Sequence, residues 1–152
     1  MREFTLLGLA AHLAIAAEEA KTAQTVALEK AAKLVERTAK AEIGHYQDQA
    51  GPFEPWAELA GYTKFDRLRK GYTENDPGLR EGDMRDSISH TVRPDEAAIG
   101  SNDQNLVWFE GGTERQPPRS VLGMAAVREG PAVADIVGEA VAVTLAGRTA
   151  PR

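Results

Sequence analysis

The sequence contains no cysteine. Disulfides, thiolate metal sites and cysteine nucleophiles are therefore excluded, and a reducing compartment suits the chain. Aromatic residues are few, at 6%. No stretch approaches the ~20 consecutive apolar residues of a membrane helix. Basic surface is also lacking: 18 Lys and Arg stand against 23 Asp and Glu, a net charge of -5. General gripping of nucleic acid needs the opposite balance, because phosphate neutralisation drives it. An acidic or mixed surface suits a channel that DNA passes through without being held. The start, Met1-Arg2-Glu3-Phe4 followed by Leu6 to Ala17, has one basic residue and an apolar run. It has no clean small-x-small cleavage site, and Glu18 and Glu19 continue a helical pattern, so no signal peptide is expected.

What is present is the composition of a folded chain. Hydrophobic residues make up 42% and charged residues 27% of 152 residues, which fits a single domain over 1–152. Leu6, Leu9, Leu13, Ala16, Ala17 and Ala20 recur at three- and four-residue steps. Leu28, Ala31, Ala32, Val35, Ala39 and Ile43 continue the stripe. This predicts one long helix or a pair broken near Thr22 or Thr25, with Glu29–Lys33 and Glu36–Lys40 as i,i+4 pairs. Gly44 is the expected stop. Residues 44–82 read as a long interaction loop, marked by Gly51-Pro52, Glu54-Pro55 and Asp76-Pro77-Gly78, with a helical piece near Trp56 to Ala60. Its aromatics argue against a plain linker.

Alternation over Ser87 to Val92, a turn at Arg93-Pro94-Asp95 and a second short strand over Glu96 to Gly100 predict a hairpin. Ser101 or Asn102 would cap a helix over Asp103 to Phe109 that stops at Gly111-Gly112. A last helical segment starts near Ser120. Gly130-Pro131 is expected to break it, with Val133, Ile136, Val137, Ala140 and Val141 forming the apolar face of a new helix beyond the break. The tail from Gly147 to Arg152 is expected to fray.

The chemistry-bearing residues form no recognisable constellation. His12, His45 and His90 are never three or four residues apart, so no helical metal pair exists. Glu42-x-x-His45 has no second copy, which a carboxylate-bridged metal site requires. Asp83 and Asp86 with His90 would be the residues of a small hydrolase, with Asp95 a further carboxylate. No nucleophile elbow or phosphate loop accompanies them. Lys64, Arg67, Arg69 and Lys70 alternate with Tyr62, Phe65 and Tyr72. That pattern could stack on single-stranded nucleic acid, but Asp66, Glu74 and Asp76 dilute it and a protein–protein arm is the better reading. Catalytic, cofactor and metal sites are all expected to be absent.

An ordered set of short motifs resembles the virion-morphogenesis (tail-completion) family of tailed phages. Trp56, Leu59 and Thr63 are similar to its W-x-x-L-x-x-x-T. Gly82-Asp83-Met84-Arg85-Asp86-Ser87-Ile88 is similar to its G-x-L-R-x-S-I, with Met84 in place of Leu and Glu81 in place of a preceding Thr or Ser. Ala98-Ile99-Gly100-Ser101 resembles the motif that closes the hairpin. Leu106 to Thr113 resembles Y-A-x-x-x-E-x-G-T, and Arg115 to Leu122 resembles a P-A-R-P-F-L segment from which Pro118, Ser120 and Val121 depart. The set spans residues 25–145. The resemblance implies an α+β fold, with a small antiparallel sheet packed against the long N-terminal helix or helix pair and a C-terminal helix. It implies a non-enzymatic tail terminator that forms a homo-oligomeric ring, commonly a hexamer. That ring would cap the tail tube, join it to the head connector or stopper, and let double-stranded DNA through without specific binding. The expected location is the virion neck, reached from the host cytoplasm during assembly. A head-side stopper or a minor capsid morphogenesis protein is the alternative. Trp56, Phe65, Trp108, Phe109 and Arg119 are the expected core or subunit contacts. Core is favoured for Trp108 and Phe109, and an interface for Arg119.

Overall fold

A computed structural model describes residues 6–145. Residues 1–5 and the tail expected to fray, Gly147 to Arg152, lie outside that range. The first third is one uninterrupted helix, α1 (Leu6–Glu42). Alanine and unbranched side chains dominate it, and both keep helix propensity high. At its end, Gly44 turns the chain with φ +99° and its N–H donates to Pro77 O at 2.8 Å. The two i,i+4 pairs form: Lys33–Glu29 at 2.9 Å and Lys40–Glu36 at 2.5 Å.

The helical piece of the 44–82 segment is α2 (Gly61–Arg69), later than the Trp56–Ala60 expected. Residues 54–60 form neither helix nor strand. Trp56 N–H donates to Gln47 O and Leu59 N–H to the Tyr46 hydroxyl, while Arg119 takes the carbonyls of Ala57 and Glu58. Those carbonyls would otherwise accept the bonds of a first helical turn. A single turn, α3 (Asp83–Asp86), leads into β1 (Ile88–Val92), which pairs antiparallel with β2 (Ala97–Ser101). The register sets His90 opposite Ile99. Ile88, His90 and Val92 share the face turned to α1. Next is α4 (Gln104–Gly111), capped by Asp103, whose carboxylate accepts from Asn105 N–H at 2.8 Å; the cap is neither Ser101 nor Asn102, as expected, but the residue after them.

The last element, α5 (Leu122–Leu145), runs through Gly130-Pro131 without a break. A helix-interior proline costs about 3 kcal/mol. Packing against α1 on both sides of Pro131 offsets that cost. Before it, Arg128 pairs with Glu42 at 2.6 Å and Glu129 accepts from Thr38 at 2.7 Å. After it, Val133 packs on the core. The architecture is thus α+β: a two-stranded antiparallel sheet laid on a long N-terminal helix that also pairs with the C-terminal helix. The core sits where these meet, around Ala39, Ile43, Ile88, Val121 and Met124. Among the described residues no helix is long and apolar enough to cross a membrane.

Candidate functional site

Two regions gather polar chemistry, and both begin at residues that bind elements together. The first centres on Glu110 near the end of α4. Its carboxylate accepts from Ser120 Oγ at 2.6 Å and from the backbone N–H groups of Val121, Leu122 and Gly123 at 2.7, 3.0 and 3.0 Å. These N–H groups have no partner within α5, so a carboxylate from another helix caps it and meets the positive end of its dipole. The turn between them depends on Gly112, with φ +72°. A Cβ there would lie 2.7 Å from Pro118 N, so the E-x-G spacing is a steric requirement of this cap.

Around this cap the expected contact residues separate. Trp56 is buried; its indole N–H donates to Ser120 O at 2.9 Å and its ring meets Phe109 edge-on at 5.3 Å. Phe109 is in the core. Trp108 is not: it is 51% exposed, because Leu106 and Phe109 define the inward stripe of the short α4 and leave position 108 on the outer side. Arg119, favoured as an interface residue, is 4% exposed and spent within the chain. Its Nε and Nη2 donate to Ala57 O and Glu58 O at 2.9 and 3.1 Å, and its guanidinium lies over Phe109. Phe65 is 65% exposed.

The basic-aromatic run is divided in the same way. Arg67 is buried, with Nε donating to Thr73 O at 2.7 Å and Nη2 to Leu79 O at 2.6 Å. Asp66 takes Arg69, Lys70 and Arg80 at 3.2, 2.9 and 3.3 Å. Lys70 first, then Arg69, hold its carboxyl below the usual range. Little free positive charge is left for phosphate.

The second region lies between the hairpin and α1. His90 Nδ1 contacts Glu36 Oε2, and Nε2 lies 3.3 Å from Glu29 Oε1. Carboxylates only accept, and a neutral imidazole has one donor, so only the imidazolium satisfies both. The Glu36 contact first, then Glu29, raise the His90 pKa against an opposing desolvation. Of the hydrolase candidates, His90 and Asp86 have separate partners. Asp86 pairs with Arg85 at 2.8 Å, Asp83 begins α3 and Asp95 lies exposed in the hairpin turn. No described group of three or more His, Asp or Glu residues is placed to hold a metal.

Glu42 is a further buried acid. Arg128 meets Oε1, but Oε2 has no hydrogen-bond partner. Burial raises its pKa to about 7 against the pull of Arg128. Sequence reasoning passed over Glu110 as an α5 cap, Arg67 as an internal anchor and the His90 clip. The E-x-G spacing was the one signal pointing to the first. Compared with family models, curated proteins and solved structures, the chain has no match.

Proposed function

We propose that the protein is a non-enzymatic structural subunit of the neck of a tailed phage particle, of the tail-terminator or tail-completion kind. In this reading copies assemble as a ring, commonly of six, that caps the tail tube and meets the head connector or stopper. DNA passes its lumen without specific contacts. The motif resemblance supplies the identity of the assembly, and one observation supports a role in assembly. The amphipathicity of α2 is inside out: Tyr62, Phe65 and Leu68 are 80%, 65% and 54% exposed, while Arg67 of the same helix is buried. Three large apolar residues at three-residue steps make a continuous stripe on a helix. Desolvation of such a stripe by a neighbour is the usual use of an exposed patch. In a closed ring one face of each subunit meets a different face of the next.

The test is assembly. Purified protein is mixed with tails lacking their terminator and examined by negative-stain microscopy, beside a Phe65→Glu variant. The expected result is a ring at the head-proximal end of each tail with the native chain and none with the variant. Protein that joins neither tails nor connectors at any concentration would overturn the proposal. A ring found on the head portal instead would move the chain to the stopper.

A further inference from the structure

A cleft of 630 Å³ opens between the 58–82 segment and the chain from α4 to Arg119. Part of its wall is apolar, supplied by Leu59 and the half-exposed Trp108. Part is acidic. Glu81, Asp83 and Asp103 have no cation within ion-pair distance among the described residues. Glu81 accepts from the Tyr72 hydroxyl and Asp103 from the start of α4, which leaves both charges in place. Arg67 and Arg119 are buried and bonded to carbonyls, and Arg80 pairs with Asp66. Among groups that are not buried, three unpaired acids therefore stand against one unpaired cation, Arg115.

The other side of the same segment carries the complement. Thr63 and Arg67 of α2 line the cleft. Phe65 is two residues from each, so on a helix it points the opposite way. It lies exposed in the stripe with Tyr62 and Leu68. Arg69 and Lys70 follow directly after that stripe, and with Arg80 they share a single carboxylate, that of Asp66. A surplus of positive charge is left there. One side of α2 is thus an apolar stripe ending in cations, and the cleft on its other side is an apolar wall edged by acids.

We propose that the occupant of this cleft is a second copy of the chain, whose α2 seats its Tyr62, Phe65 and Leu68 against Leu59 and Trp108. The surplus cations at the end of that α2 then meet the acidic edge, which is the charge complementarity that orients and speeds such contacts. Two stripes packed on each other would leave both the cations and the acids unmatched. Stripe and cleft lie on opposite sides of α2, so a paired copy still has one of each to offer. The contact is heterologous and repeats head to tail until a ring closes. It deepens the ring reading, and rests on it for that closure, by naming the two faces that meet.

The test mixes two full-length variants that each lose one half of the contact. Phe65→Glu spoils the stripe and keeps the cleft, while Trp108→Glu spoils the cleft and keeps the stripe. Both side chains are exposed, and a native indole resonance from Trp56, buried and bonded to Ser120, reports that each variant is folded. Sedimentation should find each variant monomeric alone and the equimolar mixture as a dimer that grows no further. The mixed pair should be at least about ten-fold tighter than either variant with itself, the loss that goes with a central anchor. A mixture that stays monomeric at roughly millimolar concentration overturns the contact. If the native chain still forms rings on tails, only the contact falls; if it forms none, the ring reading falls with it. Trp108→Glu pairing with itself as tightly as with Phe65→Glu would mean that stripe meets stripe, and also overturns the proposal. A mixed dimer from a chain whose native form makes no ring on tails keeps the contact and removes the ring.

Discussion

The two ends of α1 carry the same kind of sequence and have opposite surroundings. Towards its C-terminus Ala31, Ala32, Val35 and Ala39 are buried by α5 and the hairpin. Towards its N-terminus Leu7, Leu13 and Ile15 are 85%, 60% and 60% exposed. With 37 residues α1 extends about 55 Å, and the 24 residues of α5 cover only about 36 Å. Apolar periodicity reports that a face is available for burial. It does not say that the partner lies in the same chain. The C-terminal half makes the fold, and the N-terminal half, with Leu7, Leu13 and Ile15 exposed, offers like α2 a surface for the proposed assembly.

The sharpest way to break this comparison is to delete the same mass from each half. Ile43→Ala removes a 3% exposed side chain one residue past the C-terminal end of α1, from the core it shares with Met84 and Phe109. It should cost about 2–5 kcal/mol, the range for emptying a packed site, read as a shift in the urea midpoint. The opposite half is treated last, since its expected effect is smallest.

Glu110 tests whether α5 depends on its borrowed cap. Glu110→Ala leaves three backbone N–H groups and the Ser120 hydroxyl without their acceptor. The expected loss is about 2–3 kcal/mol, a cap plus unsatisfied donors. Hydrogen exchange should rise first at residues 121–124. If protection there is unchanged, the carboxylate is not what holds the start of α5.

Much of this organisation was legible in the sequence, for reasons that differ by element. The long helix, the Gly44 stop, the hairpin and the end of α4 at Gly111-Gly112 are local signals of periodicity and turn chemistry. The continuation of α5 through Pro131 was not legible, because the packing against α1 that offsets the proline is long-range. Trp56 to Ala60 reads as helix and is not helical for the same reason: Arg119, some sixty positions later, takes the carbonyls of Ala57 and Glu58. Trp108 and Arg119 exchanged their expected places. A tryptophan on a short helix reads as core, and an arginine between prolines reads as surface, until the carbonyls that accept from Arg119 are known. The His90 clip was half visible: Glu29 and Glu36 read as partners of lysines, and nothing local told that a histidine would sit between them.

That clip sets a pH dependence. The His90 folded-state pKa is raised, so the native state binds the extra proton more readily than the unfolded chain. Its contribution is complete below the ordinary histidine value of about 6.5 and is lost as pH rises through the folded value. Glu42, raised to about 7, acts in the same direction from its ordinary value up to about 7. Glu36 and Glu29 are lowered, by Lys40 and Lys33 first and His90 second, so their contribution is present above the ordinary carboxylate value and lost only in acid. Thermal stability should therefore fall from pH 6 to 8. His90→Gln should flatten the upper part of that fall, and Glu42→Gln the lower. A His90→Gln profile parallel to the native one would mean that the hairpin is not held through the imidazolium.

The smallest expected effect returns to the N-terminal half of α1. Leu13→Ala, which removes the same number of carbon atoms as Ile43→Ala, deletes a side chain that is 60% exposed. Its stability change should lie within about 0.5 kcal/mol, the ordinary range for surface substitutions. If the exposed stripe is used in assembly, the same variant should lose ring formation on tails at unchanged monomer stability, as Phe65→Glu should. A cost for Leu13→Ala as large as that for Ile43→Ala in the isolated protein would show that the N-terminal half is already covered in solution. The contrast between the two halves would then belong to one chain viewed alone, and the partner of the N-terminal half would be a second copy bound before any tail is met.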